Sequence, residues 1–206
     1  MPGTSRSTSR STSGGSRQRG SASHAREQII NILIDDHKQA KTAFRRFDKL
    51  DPVTQRNECE ALVRRTCAAL SIHATLEEEL FYPAAREGLD DGALIDEAEV
   101  EHLSARMLIE RLQTMSADDE KFAATFKVLG EYIKHHVKEE EGEIFPQLRL
   151  GRVEWDGLCD EINARRAELQ EQLDPAGDAA AAEREQRRID AGAESAARDT
   201  GYPRKI

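Results

Sequence analysis

The chain has 206 residues, a net charge of −9, and 33% charged against 5% aromatic residues. Rich in Ala, Leu, Glu and Arg, it has the composition of a helical protein of about one domain. An acidic body is a poor partner for nucleic acid or an anionic membrane surface, and no apolar run approaches the ~18–20 residues that span a bilayer.

Residues 1–24 carry Arg6, Arg10, Arg17 and Arg19 and no acid, among Ser, Thr and Gly. Such a segment cannot bury apolar surface, and a disordered tail is expected. It lacks the apolar stretch of a secretory signal and the apolar face of a transit peptide. From about Ala25 a helical stripe begins: Ile29, Ile30, Leu33, Ile34, His37, Ala40, Phe44 and Phe47. Asp51-Pro52 reads as the start of a second helix. That helix carries Cys59, Leu62, Thr66, Leu70, His73, Glu77 and Leu80, and is expected to stop near Pro83 or Gly88. Asp90-Asp91-Gly92 reads as a turn and cap before a third helix with Ile95, Ala98, His102, Ala105, Ile109 and Leu112. Ser116 to Asp119 resembles a capping box before a fourth, with Phe122, Phe126, Leu129, Ile133, His136, Glu140 and Ile144, ending at Pro146.

A shorter fifth helix is expected within 151–173 on Trp155, Leu158, Ile162, Leu169 and Leu173, packing on the bundle. Residues 174–206 read as a mobile Ala/Glu/Arg-rich tail. The fold class expected is all-α: an up-down-up-down four-helix bundle over 25–150, with a short fifth helix and disordered N- and C-terminal tails. The three cysteines, Cys59, Cys67 and Cys159, form neither a CxxC nor an even set, as expected of reduced thiols in a cytoplasmic protein.

Two stretches repeat one pattern. His73-Ala-Thr-Leu-Glu77 runs on to Phe81-Tyr82-Pro83, and His136-Val-Lys-Glu-Glu140 to Ile144-Phe145-Pro146. Residues four apart share a helix face, so each stretch aims an imidazole and a carboxylate at one point. Asp36-His37 and Glu101-His102 repeat on the other two helices, and the separations His37 to His73 and His102 to His136 are nearly equal. The chain thus reads as two helix hairpins related by a pseudo-twofold axis.

A single His on an apolar stripe is usually a core residue. Four, one per helix and two with a Glu one turn on, are not, because unpaired buried carboxylates are costly and the inward faces offer no Lys or Arg. Metal ions meet that need, and imidazole with bridging carboxylate suits iron, manganese or zinc. Six donors in two equivalent halves, His37, His73, Glu77, His102, His136 and Glu140, imply two ions rather than one closed zinc site. The other members of the runs Glu77-Glu78-Glu79 and Glu139-Glu140-Glu141 read as solvated charge, as does His135, and Asp36 and Glu101 read as surface groups.

At these residues the chain resembles the hemerythrin family in its HHE cation-binding branch, over about Ala25 to Leu150. The resemblance implies a bundle around a non-haem di-iron centre with an oxo or hydroxo bridge, in preference to manganese or zinc. Glu77 and Glu140 would bridge, and His37, His73, His102 and His136 would be terminal ligands. It implies dioxygen, nitric oxide or peroxide as the small ligand bound or sensed, with an enzyme removing peroxide or nitric oxide and a metal-stabilised regulatory or iron-sequestering module as alternatives. The oxygen carriers of the family have a further His on the third helix, where this chain has Ala98 and Arg106, and an Asp five residues after the last His, where it has Glu140 at four. One coordination place is therefore open to Glu99, Tyr82, Tyr132 or water.

Overall fold

The structure is a computed structural model that describes residues 15–89, 92–150, 155 and 157–173. Among these residues there are α-helices and two π-helical turns and no strand. The chain divides into two units, Met1–Arg165 and Arg166–Ile206.

Helix α1 spans Gly15–Phe47. It begins earlier than the sequence suggests: part of the expected 1–24 tail is helical, because a long helix propagates one hydrogen bond per residue once nucleated. The remainder of that tail, residues 1–14, and the expected tail 174–206 lie outside the described residues. Helix α2 runs Arg56–Leu76. Asp51 does not cap it: its carboxylate accepts the Val53 N–H at 2.9 Å and the Thr54 hydroxyl at 2.9 Å, closing a separate turn of the kind Asx side chains make. Beyond α2 the chain passes through a π turn, Glu77–Phe81, into α3, Tyr82–Gly88.

Helix α4 spans Ala93–Gln113 and is preceded by Gly92; the Asp90-Asp91 expected to cap it lies outside the described residues. Asp119 does fold back onto the Ser116 N–H at 2.7 Å, but this closes a turn ahead of α5, Phe122–Glu139, whose cap is Lys121. A second π turn, Glu140–Ile144, leads into α6, Phe145–Leu150. Neither proline ends its helix. Each stands next to the first residue after a π turn, where its missing N–H and its clash with the preceding turn are accommodated. Helix α7 spans Leu158–Leu173.

Helices α1, α2, α4 and α5 close a ring, each packed on the next and α5 on α1. Their stripes meet inside. On one side of the bundle's middle lie Phe47, Leu62, Leu70, Ile109, Phe122, Phe126 and Leu129 in one apolar cluster. Phe126 packs at a tilt against Phe44 and Phe47, at 4.8 and 4.7 Å between ring centres. Gly130 lets α1 approach there, since a Cβ on it would lie 2.9 Å from the Phe44 ring. On the other side, Phe81, Tyr82, Phe145 and Trp155 are all buried. Trp155 tilts over Phe81 at 6.2 Å, and Arg165, on α7, grips Glu79 at 2.7 Å. Between these two apolar layers sits a polar one. No helix among the described residues is long and apolar enough to cross a membrane.

Candidate metal centre

The polar layer consists of His37 from α1, His73 from α2, His102 from α4, His136 from α5, and one glutamate from each π turn, Glu77 and Glu140. All six are buried, and both glutamates are 0% exposed. The structure brings together every one of the six donors that the spacing singles out. The Nε2 atoms of His37 and His73 lie 3.2 Å apart, as do those of His102 and His136. Each glutamate reaches both histidine pairs. Glu77 Oε2 is 3.1 Å from His73 Nε2 and 3.3 Å from His102 Nε2. Glu140 Oε2 is 3.2 Å from His37 Nε2 and 3.5 Å from His136 Nε2. Donors about 2.1 Å from one ion stand roughly 3 Å apart when adjacent, which is the spacing found. Two groups result, His37-His73-Glu77-Glu140 and Glu77-His102-His136, sharing Glu77, with donors within 4.8 Å of one another.

Around this centre runs a second ring of carboxylates. His37 Nδ1 is 3.0 Å from Glu141, His73 Nδ1 3.3 Å from Asp36, His102 Nδ1 3.0 Å from Glu78, and His136 Nδ1 3.0 Å from Glu101. Four imidazoles thus meet four outer carboxylates. A carboxylate at Nδ1 selects the tautomer with its proton there and turns the Nε2 lone pair inward, the arrangement that orients a metal-binding imidazole. Reading Asp36 and Glu101 as surface groups is therefore corrected. Neighbours in sequence point ~100° apart, so neither can reach the ring beside it. Each instead reaches across the helix seam, Asp36 to His73 and Glu101 to His136. Glu78 and Glu141 are likewise not merely solvated. They are held by Arg106 at 2.6 Å and Lys41 at 3.1 Å while they grip His102 and His37. The signal for them lay in the repeat, where each inward Glu is followed by another.

The donor set fits a cation. Glu77 Oε1 and Oε2 and Glu140 Oε2 are buried and accept no hydrogen bond. The imidazole nitrogens nearest to them offer lone pairs once Nδ1 carries the proton, so an inner proton or a cation must intervene. The charge balance shows how strongly the centre draws positive charge. Burial opposes a charged His37, yet Glu140, Glu77 and Glu141 outweigh it and the ring titrates above its ordinary value. For His102 burial is likewise outweighed, by Glu77 and Glu78. His136 goes well above its ordinary value, burial notwithstanding, because of Glu140 and Glu101. Burial would raise Glu140, but His136 and His37 hold it well below the usual carboxylate range.

Of the three side chains open for a further place, Tyr82 alone is at the centre. Its O–H donates to Glu140 Oε1 at 3.0 Å, and its oxygen is 3.4 Å from His102 Nε2. Burial, with Glu77 and Glu140 adding to it, lifts its phenol well above the usual range. Glu99 is exposed and pairs with Arg86 at 3.1 Å, and Tyr132 is 46% exposed. The π turn is what brings Tyr82 inward. In an uninterrupted α-helix it would stand about 180° from His73. The turn takes up one extra residue, the Tyr82 N–H bonding back to Glu77 O, and returns the ring to the inner face. Phe145 is placed the same way, with its N–H on Glu140 O. His135 is 59% exposed side chain, 3.1 Å from Glu139 and 3.4 Å from Glu101, outside the buried centre.

A model of the hemerythrin HHE cation binding domain matches residues 28–148. Among curated proteins, a DNA nickase from Nostoc sp. strain PCC 7120 is 27% identical over 147 residues, covering 70% of this chain and 41% of that protein. The chain thus spans less than half the length of that relative. Among solved structures, a hemerythrin HHE cation binding domain-containing protein from Mycobacterium kansasii has the same fold, with a TM-score of 0.59 at 21% identity, covering 69% of this chain and 86% of that one.

Proposed function

Because the chain belongs to the hemerythrin HHE cation-binding domain family, we propose that it is a non-haem di-iron protein that binds or senses dioxygen, nitric oxide or peroxide in the bundle core. The observation that carries this reading is the cross-linking of the two histidine pairs: Glu77 touches His73 and His102, and Glu140 touches His37 and His136. A carboxylate reaching both pairs is what a two-ion site requires. His37 and His73 would hold one iron, His102 and His136 the other, with both glutamates between. Iron would supply the redox chemistry toward the small ligand. The chain's own part is to fix the imidazoles through Glu141, Asp36, Glu78 and Glu101, and to keep bulk water out with Phe81, Phe145 and Trp155.

The departure at Ala98 and Arg106 favours turnover over reversible carriage as the second reading, an enzyme removing peroxide or nitric oxide. Ala98 is buried and donates nothing, and Arg106 is committed to Glu78, so α4 offers one imidazole where the oxygen carriers have two. The three free thiols support a cytoplasmic location. Nicking of DNA, the activity in the Nostoc relative's name, is a separate hypothesis for this chain. The net charge of −9 speaks against it, and incubation with supercoiled plasmid tests it.

Metal content per chain, with optical spectra before and after oxygen and peroxide, tests the main reading. Two irons and charge-transfer absorption from a bridged pair are expected. One zinc per chain would sink it, whereas a stable reversible oxy form without peroxide turnover would leave it standing and sink the second reading.

A further inference from the structure

Among the described residues the exposed large apolar side chains are Val53, Val100, Leu103, Met107, Val128 and Tyr132. All but Val53 lie on α4 and on α5, which packs beside it. Scattered singly, such side chains are ordinary. Val100, Leu103 and Met107, however, are 63, 59 and 66% exposed and follow one another at the three- and four-residue spacing of a single helix stripe. With Ser104, Asp96 and Arg111 they occupy an arc of about 100° on α4. That arc lies on the far side of the helix from His102, away from the buried centre.

The stripe is balanced about a point between Leu103 and Ser104. Val100 on one side answers to Met107 on the other, and acidic Asp96 to basic Arg111. A surface that meets its own copy across a twofold axis needs such self-complementarity. We propose that two copies of the chain pair antiparallel through this face of α4, forming a homodimer. The axis passes between Leu103 and Ser104, so Leu103 meets Leu103 of the second copy and the small Ser104 lets the backbones approach. Val100 then faces Met107 of the second copy, and Arg111 comes beside Asp96 and Glu97 of the second copy. Asp96 pairs with Arg86 at 2.7 Å within its own chain yet keeps a side chain 70% exposed, and Glu97 and Arg111 are exposed, so all three can meet a second copy. A parallel pairing would oppose Arg111 to Arg111 and Asp96 to Asp96, and like charges set face to face are repulsive. Charge therefore selects the antiparallel arrangement. The contact closes on itself, which gives a dimer and not a filament, and it leaves the six inner donors untouched.

The experiment is sedimentation velocity of the full chain over a range of concentrations, in four forms: wild type, Leu103→Glu, Arg111→Glu, and Arg111→Glu combined with Asp96→Lys. Wild type is expected to sediment at twice the mass of the chain and to dissociate on dilution. Leu103→Glu sets two carboxylates against each other at the axis and is expected to be monomeric throughout. Arg111→Glu is expected to weaken the dimer about tenfold or more, since each new carboxylate faces Asp96 and Glu97 of the second copy. Adding Asp96→Lys should recover most of that loss. Every substitution is at an exposed position, and far-ultraviolet circular dichroism of each form is expected to match wild type. Should Leu103→Glu fail to fold, the loss and recovery in the two Arg111→Glu forms still decide the matter. A monomeric wild type would overturn the proposal, whether residues 174–206, another protein or nothing covers the stripe. A dimer that persists unweakened in folded Leu103→Glu or Arg111→Glu would overturn it too, by placing the contact elsewhere. Absence of any recovery in the combined form would overturn the antiparallel pairing. None of these outcomes touches the di-iron reading, because no inner donor is altered.

Discussion

On the di-iron reading, removing Glu101 should weaken iron binding although Glu101 is not one of the six inner donors. Its Oε2 is 3.0 Å from His136 Nδ1, where it fixes the ring and strengthens the nitrogen on the far side. Loss of such a partner typically weakens metal binding 10- to 100-fold, or about 1.4–2.7 kcal/mol. The structure divides that range. Glu101→Gln keeps an oxygen that accepts the Nδ1 proton and loses only the charge, so roughly tenfold is expected. Glu101→Ala leaves His136 free to turn in a cavity, and the effect should approach 100-fold. Glu139→Ala is the control, since Glu139 pairs with the exposed His135 and not with a buried ring. Its affinity should match wild type. Ferrous iron affinity is measured by competition with a chelator of known strength, with melting of the metal-free forms alongside to expose any general loss of stability. Equal affinities for Glu101→Ala and wild type would refute the claim that the outer carboxylate orients the ring. Equal losses in Glu101→Ala and Glu139→Ala would reduce it to bulk surface charge.

Other consequences are open to direct measurement. In the metal-free protein His37, His102 and His136 titrate above their ordinary value. Their contribution to stability is therefore full below about pH 6.5 and is lost as pH rises through the folded-state values. Glu140, shifted down, contributes above the usual carboxylate range and loses its share only in stronger acid. Denaturant titrations should show metal-free stability falling above neutrality, and bound iron should reverse that fall because the metal replaces the protons. A melting curve with the same pH slope with and without iron would contradict this. Phe126→Ala removes a fully buried ring packed on Phe44 and Phe47 and should cost about 3–5 kcal/mol in urea unfolding. Burial pushes the Cys67 thiol up to about 12 and raises that of Cys59 too, while Cys159 is only partly covered. An aromatic disulfide reagent should therefore label Cys159 promptly and reach the other two only on unfolding.

The bundle was legible because its stripes are long and keep one period. His37, His73, His102 and His136 each sit within such a stripe, so placing the helices placed the rings. The Glu77 and Glu140 carboxylates followed from the four-residue offset. Helix starts were less legible. Asp51 and Asp119 both make the side-chain bonds their sequences promise, yet each closes a turn before the helix rather than its first turn, because such bonds are equally good in either setting. The outer carboxylates were obscured for a different reason. A helix wheel relates residues on one helix, whereas Asp36 and Glu101 act on a ring of the neighbouring helix, and only the seam between helices shows it. Tyr82 could be suspected but not chosen over Glu99 and Tyr132. On an α-helical wheel it points away from His73, and nothing in the local composition announces that Glu77–Phe81 winds more widely.

That wider winding separates two properties of the protein. His73 with Glu77, and His136 with Glu140, are fixed by the α-helical turn before each π segment. Tyr82 and Phe145 owe their position to the extra residue that follows. A deletion at Gly142, where added bulk would meet nothing within 4 Å, would leave the imidazole and carboxylate of that helix where they are and swing Phe145 by about 100°. The stretch that aims the imidazole and carboxylate inward and the stretch that sets the aromatic wall beside them are thus independently adjustable along the same helix. A chain built this way can change the wall of its buried centre, by one residue inserted, removed or exchanged, without moving the His and Glu side chains that would hold an ion.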